Sequence, residues 1–341
     1  MSCKKPRIAV TTGDCAGIGP ELVLYALNSK QIAENATLTV YGNLNILHRV
    51  SQQSGIRFNT ETQILSSIVE LDPDGKRNVL INTESADLEN IKPALSQKVC
   101  GTYVARWIEM AVADTLAGRS DAIVTAPINK SSINMAGVNF PGHTEMLASL
   151  CKTRDPCMAF YTPGFIVSLA TIHTALSNVP SLLKVDHLLN ICRLTHQLCL
   201  QQGITNPRIG MLALNPHAGE NGLFGTEEKT ILTPAIKAAR NKGINIDGPL
   251  VPDTAFTWLY PPRKPAPFDA YVAMYHDQAL IPFKMAVFDK GVNITLGLPI
   301  IRTSPDHGTA FDLAWQGKAS PNSFFEAIRL AAQMVASKEA P

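Results

Sequence analysis

The chain has 341 residues, of which 45% are apolar and 17% charged, and it carries a net charge of +2. This balance is typical of a folded globular protein, and the length predicts two domains or one large α/β unit. Thirty basic residues oppose 28 acidic ones without any long Lys/Arg block, which argues against a nucleic-acid partner.

The cysteines and the first residues bear on the compartment. The seven cysteines are odd in number and form no CxxC pair, so we expect free thiols in a reducing cytosol. The start MSCKKPRIAVTTGD has too few apolar residues for a signal peptide or a membrane span. We therefore expect a soluble, cytoplasmic protein without a membrane partner, in which Cys192 and Cys199 are core residues of one helix.

Short apolar runs alternate with longer segments of helical period, which indicates βαβ units around a parallel sheet and an α/β fold. The predicted strands are, in chain order, RIAVTT from Arg7, TLTVYG from Thr37, DAIVTAP from Asp121, FIVSLATIH from Phe165, RIGMLALNPH from Arg208, AYVAMYH from Ala270 and VNITLG from Val292. Helices are predicted from Pro20, after Ser96, after Ser181 and in KTILTPAIKAARNKG up to Gly243. LDPDGK and YPPRKPAP are predicted to be surface loops.

The glycine-rich stretch TTGDCAGIGPEL does not predict a Rossmann dinucleotide site. Gly17 and Gly19 are followed by Pro20, so the third glycine of the GxGxxG pattern is missing. We therefore do not expect a classical Rossmann fold.

Three of the apolar runs end on histidine, at His173, His217 and His276. Ligands of an open parallel sheet collect beyond the carboxyl ends of its strands, where these imidazoles could meet. Imidazole nitrogens suit zinc and other divalent ions, so the three are candidate metal ligands. A histidine at a strand end is also commonly a hydrogen-bonded core or loop residue, and this alternative stays open.

Other polar residues favour an anionic substrate. FPGHTEMLASL places His143 and Thr144 where a helix begins, and a helix start offers N–H groups to an anion. Lys284 and Arg302 each follow an apolar run, and Asn293 is a possible hydrogen-bonding anchor. The alternatives are an ordinary helix cap, surface cations and the polar edge of a strand.

A series of ordered motifs extends over most of the chain: GDCAGIGPEL, TAPINK, FPGHTE, LNPHAGENGLFG, PDTAF, AMYHDQALIPFK and GVNITLGLPIIRTSPDHGTAFDLA. They resemble the 4-hydroxythreonine-4-phosphate dehydrogenase family of vitamin B6 biosynthesis. The first motif and SPDHGTAFDLA also resemble isocitrate and isopropylmalate dehydrogenases. The resemblance implies two α/β/α domains with a cleft between them. Residues 1–130 with 300–341 would form the cofactor side, and residues 131–299 the metal, substrate and dimer side.

The resemblance also implies roles for individual residues. A divalent metal (zinc, magnesium or cobalt) would be held by His173, His217 and His276, at a homodimer interface with ligands shared across it. The implied substrate contacts are His143, Thr144, Lys284, Asn293 and Arg302. The implied cofactor residues, for the adenosine part of NAD or NADP, are Asp306, His307 and Gly308. The candidate catalytic residues are Lys284, Asp253 and Asp277, of which either aspartate could accept a proton or merely orient a histidine.

The implied reaction is oxidation of the C3 hydroxyl of 4-phosphooxy-L-threonine by NAD or NADP. Loss of carbon dioxide then gives 3-amino-2-oxopropyl phosphate. Threonate and erythronate 4-phosphates are alternative substrates, whereas the intact GHTE argues against aromatic dihydrodiols. A non-catalytic binding protein and a metal-dependent hydrolase are alternatives of another class. Two residues depart from the family pattern, Cys15 where proline is common and Trp315 where a small residue is usual.

Overall fold

In a computed structural model of the protein, residues 5–72, 75–140, 142–262 and 265–339 are described. Parts of the predicted loops LDPDGK and YPPRKPAP lie outside these residues, as does Pro141 of FPGHTE. The chain forms two compact units. The terminal unit extends to Arg154 and resumes at Leu298, and the central unit is Asp155–Gly297.

Strands are numbered in chain order. They are β1 Arg7–Thr11, β2 Thr37–Gly42, β3 Gln63–Leu65, β4 Val79–Asn82, β5 Ala122–Thr125, β6 Cys157–Thr162, β7 Phe165–Leu169, β8 Ile209–Leu212, β9 Ile246–Leu250, β10 Ala270–Ala273, β11 Val292–Leu296 and β12 Ile301–Pro305.

The α-helices are numbered in the same way. They are α1 Gly19–Asn28, α2 Lys30–Asn35, α3 Leu44–Ser54, α4 Lys98–Leu116, α5 Lys130–Met135, α6 His143–Leu150, α7 Val179–Leu182, α8 Val185–Gln201, α9 Thr233–Asn241, α10 His276–Ala286 and α11 Asn322–Glu339.

The strands of the terminal unit lie in the order β3-β4-β2-β1-β5-β12, and all neighbours are parallel. Strands β1, β2, β5 and β12 are buried along their whole length, as expected of parallel strands covered on both faces. The predicted α/β class with parallel strands is confirmed. The carboxyl ends of β1, β5 and β12 therefore lie side by side.

Segment α5 belongs to the terminal unit because α4 and α5 pack closely. A Cβ added to Gly101 of α4 would lie 1.9 Å from the carbonyl oxygen of Ser132 in α5. Only a glycine permits this approach. The central unit accordingly begins at Asp155, whereas the sequence predicted a boundary at 130/131.

The strands of the central unit lie in the order β11-β6-β7-β10-β8-β9. Neighbours from β7 to β9 are parallel, and β6 pairs antiparallel with β7 and with β11. The core of this unit is aromatic: the ring of Phe165 lies 6.0 Å from that of Tyr271 and 5.4 Å from that of Phe283, centroid to centroid. Cys192 and Cys199 are buried on α8, as predicted.

Several predicted element boundaries were wrong. Strands β7, β8 and β10 end at Leu169, Leu212 and Ala273, so the three histidines follow the strands instead of ending them. The helix predicted after Ser181 begins at Val185, because Leu183 is extended. No helix in the described part of the chain is long and apolar enough to cross a membrane.

Candidate active site

The three candidate metal ligands lie at one edge of the central sheet. Strand β10 is paired with β7 on one side and β8 on the other, and all three strands are parallel. His173 lies in the loop after β7, His217 in the loop after β8, and His276 is the first residue of α10 after β10. The topology therefore puts all three beyond neighbouring carboxyl ends, where ligands of α/β proteins bind.

Within one chain, two of the histidine rings contact each other and the third contacts a phenylalanine ring. The rings of His173 and His276 are 5.9 Å apart between centroids, whereas the ring of His217 lies 6.4 Å from that of Phe224. His173 and His217 are both exposed. Over the described residues, one chain brings together no group of three histidine, cysteine or acidic side chains able to hold a metal.

Asp277 orients one of these imidazoles. Nδ1 of His276 lies 2.7 Å from Oδ1 of Asp277. A ring N–H that donates to a carboxylate leaves the other nitrogen, Nε2, free to bind a metal. The Asp277 side chain is 73% exposed, and it pairs with the residue next to it in the chain, His276. The donor chemistry of this pair thus suits a divalent cation.

Two side chains that the sequence did not single out tie the three loops together. The Thr171 hydroxyl donates to the Met274 carbonyl oxygen at 2.8 Å. Gln278 accepts from the Met274 N–H at 2.7 Å and donates to the Ala213 carbonyl oxygen, also at 2.7 Å. A glutamine in the first turn of a helix that reaches back to the preceding backbone is a sequence signal that could have identified Gln278.

His217 begins an unusual left-handed turn. Residues 217–221 have φ values of 50°, 54°, 80°, 41° and 55°, and only Gly219 among them is a glycine. Left-handed backbone is strained for L-residues, and such strain concentrates at functional sites. The buried Glu228 accepts the backbone N–H groups of Leu214 and Asn215 at the start of this segment. Glu228 is not among the residues that the sequence predicted to be functional.

The terminal unit contains a buried cation next to a half-buried histidine. Arg302 on β12 is 2% exposed and donates from Nη2 to the Thr125 hydroxyl at 2.7 Å. Burial lowers the pKa of Arg302 to about 9, although the Glu145 carboxylate raises it. Burial, and then the positive charge of Arg302, lower the pKa of His143 well below its usual value. His143 is therefore a neutral imidazole at pH 7.

As predicted, a helix begins at the GHTE motif. Helix α6 starts at His143 with Gly142 as its N-cap, so the cap is the glycine and not Thr144. Thr144 is buried, and Nε2 of His143 is a buried atom without a hydrogen-bond partner among the described residues. A buried polar atom of this kind is normally satisfied by a ligand or a water.

The loop after β12 packs against the loop after β1. The Ile18 N–H donates to the Thr309 carbonyl oxygen at 3.1 Å, and a Cβ on Gly17 would lie 2.8 Å from that oxygen. The Asp306 N–H donates to the Ser323 hydroxyl at 2.9 Å, which anchors the start of the second loop. Gly308 is exposed, and a Cβ there would meet nothing within 4 Å. The loop is thus anchored at its start, and it is open to solvent at Gly308.

The two departures from the family pattern contact each other. The indole N–H of Trp315 donates to the Cys15 carbonyl oxygen at 2.9 Å. Trp315 is 1% exposed and has a φ of 64°, a value that favours glycine. Arg49 lies over its ring at 5.0 Å from the centroid. Trp315 is thus held inside the terminal unit by the Cys15 backbone and the Arg49 side chain.

The remaining candidates are placed as follows. Lys284 on α10 and Asn293 on β11 are half-buried in the central unit, and Asp253 is exposed after β9. His143, Thr144 and Arg302 belong to the terminal unit, so the predicted substrate residues are divided between the two units.

Known proteins similar to this chain extend over its full length. A sequence profile of the family described as pyridoxal phosphate biosynthetic protein PdxA matches residues 34–331. The 4-hydroxythreonine-4-phosphate dehydrogenase of Trichlorobacter lovleyi is 41% identical over 99% of this chain and 100% of its own. The D-threonate 4-phosphate dehydrogenase of Salmonella typhimurium is 42% identical over 96% of this chain and 98% of its own.

A solved structure also matches. The crystal structure of 4-hydroxythreonine-4-phosphate dehydrogenase from Klebsiella pneumoniae superposes with a TM-score of 0.83. It is 38% identical in sequence, covering 97% of this chain and 100% of that one. Both the sequence profile and these relatives confirm the resemblance expected from the ordered motifs. The chain belongs to the PdxA family of pyridoxal phosphate biosynthetic proteins.

Proposed function

We propose that this protein is a metal-dependent dehydrogenase that oxidises 4-phosphooxy-L-threonine with NAD or NADP in the cytoplasm. The observation that carries the proposal is the placement of His173, His217 and His276 beyond the carboxyl ends of three adjacent parallel strands. Full-length similarity to enzymes named 4-hydroxythreonine-4-phosphate dehydrogenase supports the substrate.

We assign the anionic groups of the substrate to the five residues that the motifs imply as substrate contacts, His143, Thr144, Lys284, Asn293 and Arg302. Arg302 stays cationic at pH 7 because its pKa, although lowered by burial, is about 9. His143 is neutral at this pH, so its ring can donate or accept a hydrogen bond without adding a charge. Thr144 lies in the first turn of α6, where backbone N–H groups attract anions. Lys284 and Asn293 supply a second cation and an amide from the central unit.

We assign a divalent cation to His173, His217 and His276. Neutral imidazole nitrogens fit zinc or cobalt better than magnesium, which prefers oxygen ligands. Asp277 holds the ring of His276 so that Nε2 is available. When bound, the cation supplies Lewis-acid polarisation of a substrate oxygen.

The proposal includes a homodimer that shares these ligands. The described residues of one chain do not assemble three donors, so a complete site needs a second copy. The central unit exposes large apolar side chains near the histidines in sequence: Leu176, Leu223, Phe224, Ile281, Met285 and Phe288. Exposed apolar surface of this kind is typical of an interface between proteins.

We assign the adenosine part of NAD or NADP to Asp306, His307 and Gly308. The loop is fixed by the Asp306 N–H bond to Ser323 and by the packing of Thr309 on Gly17. The open space beside Gly308 lets a ligand approach the backbone. When bound, the nicotinamide accepts the hydride.

The side chains then have to manage one proton and hold the substrate. Oxidation removes a hydride from C3 and a proton from its hydroxyl. The carboxylate then leaves as carbon dioxide, and a proton is returned to C2. Asp277 is engaged by His276, which favours an orienting role for it. Asp253 is the candidate that remains for the proton acceptor, whereas Lys284 stays a cation that holds the substrate. The expected product is 3-amino-2-oxopropyl phosphate.

D-Threonate 4-phosphate is a second candidate substrate. Relatives named D-threonate 4-phosphate dehydrogenase are 42% and 40% identical to this chain, as similar as those named for the threonine compound. The two substrates share the phosphate, the carboxylate and the hydroxyl that is oxidised, and differ by an amino or a hydroxyl group at C2. All the assigned contacts above serve both.

The experiment is an assay of purified protein with 4-phosphooxy-L-threonine, D-threonate 4-phosphate or D-erythronate 4-phosphate. Each is combined with NAD or NADP and zinc or cobalt, and the absorbance of reduced nicotinamide is followed. We expect the highest kcat/KM with 4-phosphooxy-L-threonine. A preference for D-threonate 4-phosphate would select the second candidate, and release of phosphate without nicotinamide reduction would contradict the dehydrogenase assignment.

A further inference from the structure

The left-handed turn at His217–Asn221 needs a cause outside itself. Five consecutive residues have positive φ, and four of them are not glycine. Such a conformation persists only where neighbouring groups determine it. The exposed side chain of His217 begins this turn, so whatever fixes the turn also fixes the position of the imidazole.

The carboxylate of Glu228 occupies the inside of this segment. Its Oε1 accepts the backbone N–H of Leu214 at 2.9 Å and that of Asn215 at 2.8 Å. Its Oε2 accepts from the Asn215 side-chain amide at 2.9 Å. Glu228 is 7% exposed, so the carboxylate is largely removed from water. The backbone immediately before His217 is therefore bound to one buried charge.

The middle of the turn also closes on Glu228. A Cβ added to Gly219 would lie 2.8 Å from its Oε2, and Gly219 has a φ of 80°. Asn215 receives additional support from Glu227, whose Oε2 accepts from the same amide at 2.8 Å. The chain thus passes around the Glu228 carboxylate from Leu214 to Gly219.

We propose that Glu228 is a positioning residue: its carboxylate organises the left-handed turn and thereby holds the His217 imidazole in the orientation that binds the cation. This inference rests on the proposed function, because it takes His217 as a metal ligand. A buried acceptor of two backbone N–H groups suits the task, since charge-assisted hydrogen bonds are short, strong and directional.

The test compares metal binding by the full chain after removal of metal. The variants are Glu228→Gln, Gly219→Ala and His217→Ala, with Glu109→Gln as a control, because Glu109 is exposed on α4 and its substitution makes the same charge change. The Glu228→Gln side chain keeps the shape and one acceptor oxygen, but it places an NH₂ donor against the Asn215 amide. Binding of zinc is measured by calorimetry, and the ligand set by the visible spectrum of bound cobalt.

We expect Glu228→Gln and Gly219→Ala to raise the zinc Kd by about 10- to 100-fold, the usual effect of removing a group that orients a metal ligand. Both variants should also change the cobalt spectrum. Glu109→Gln should bind zinc like the wild type. Thermal unfolding of the metal-free proteins shows whether a variant is misfolded. If either Glu228→Gln or Gly219→Ala is misfolded, the zinc Kd of the other variant tests the positioning role.

The outcomes distinguish a wrong positioning role of Glu228 from a wrong metal site. If His217→Ala abolishes tight zinc binding while Glu228→Gln and Gly219→Ala retain the wild-type Kd and spectrum, the positioning role is wrong and the metal assignment stands. If His217→Ala itself binds zinc as tightly as the wild type, the proposed metal site is wrong, and the role of Glu228 is rejected with it.

Discussion

Arg302 is a desolvated cation whose burial works against folding. It is 2% exposed, and burial lowers its pKa to about 9 despite the Glu145 carboxylate. A bound anion would offset this cost. We predict that Arg302→Met raises KM for the phosphorylated substrate by about 100-fold or more, the effect of removing a buried charge partner. The free energy of unfolding should fall by up to about 3 kcal/mol, because the substitution leaves the Glu145 carboxylate without its cationic neighbour.

Steady-state kinetics and urea unfolding measure the two quantities separately. Arg106→Met, at an exposed position on α4, is the matched control and should alter neither of them. A variant at Arg302 that loses stability but keeps the wild-type KM would show that Arg302 is structural and does not bind the substrate.

His143 gives the fold a dependence on pH. Its pKa in the folded protein is lowered by burial and by Arg302, whereas the unfolded chain protonates near the ordinary value of about 6.5. Below that pH the unfolded state binds more protons, so the free energy of unfolding falls as the pH falls. The contribution of this one residue is at most about 1.4 kcal/mol per pH unit.

Urea unfolding between about pH 7.5 and pH 5.5 checks this prediction. His143→Gln cannot take up the proton, so its free energy of unfolding should fall less steeply than that of the wild type. His48→Gln, at an exposed histidine, is the control. Equal slopes for His143→Gln and the wild type would mean that His143 is not the group responsible.

The sequence identified those candidate residues that directly follow a predicted strand. His173, His217 and His276 each follow an apolar run, and that pattern is local. Thr171, Gln278 and Glu228 act on the backbone of other loops, at distances along the chain that no local pattern encodes. These three could be found only after the strands were in place.

The left-handed turn is the clearest strained element. Ala218 has a φ of 54°, and this left-handed conformation costs an L-residue roughly 1–2 kcal/mol relative to glycine. Part of the gain from a glycine is cancelled, because unfolded glycine has the greater conformational entropy. We predict that Ala218→Gly stabilises the fold by up to about 1 kcal/mol. The control is Ala113→Gly on the exposed side of α4, which should destabilise by about 1 kcal/mol because its backbone is helical.

Chemical denaturation of both variants gives the comparison. We expect the two substitutions to change the free energy of unfolding in opposite directions. If Ala218→Gly destabilises the protein as much as Ala113→Gly does, the backbone at position 218 is not left-handed in solution.

Helix α10, which begins at His276, presents apolar side chains to solvent. Ile281 and Met285 are four residues apart and 61% and 84% exposed, and Phe288 beyond the helix is 82% exposed. If this stripe lies in a dimer interface, Met285→Lys should shift the protein from dimer to monomer, because an interface core excludes charge. Activity should be lost with the dimer.

Analytical ultracentrifugation measures the oligomeric state. Val69→Lys is the control, since Val69 is 79% exposed in the terminal unit and its substitution should leave the state unchanged. If the wild-type protein sediments as a monomer at micromolar concentration, the proposal that two chains share the metal site is wrong.

The sequence located seven strands, β1, β2, β5, β7, β8, β10 and β11, and missed β3, β4, β6, β9 and β12. Strands β1, β2 and β7 were located by their continuous apolar runs. Strand β3 has only three residues, and β9 contains a Gly-Pro pair, so neither has a readable pattern. The turn at residues 217–221 could not be predicted, because only one of its five residues is a glycine.

For the whole molecule, the sequence predicted an α/β fold of two domains, and it found the family from ordered motifs. The predicted boundary at 130/131 differs from the structural one at 154/155. The segment between them stays with the terminal unit through the contact of Gly101 with Ser132, a contact between residues far apart in sequence. Domain edges depend on such packing and not on local composition.

We propose that dehydrogenation depends on a cation bound by the three histidines that follow strands β7, β8 and β10. The most direct measurement is the rate of nicotinamide reduction with 4-phosphooxy-L-threonine, recorded for metal-stripped wild type and His217→Ala before and after zinc or cobalt is restored. We predict that added metal restores the rate to the wild type and leaves His217→Ala at least about 100-fold slower, as expected when a metal ligand is lost. A full rate in the stripped wild type, or in His217→Ala, would contradict the account.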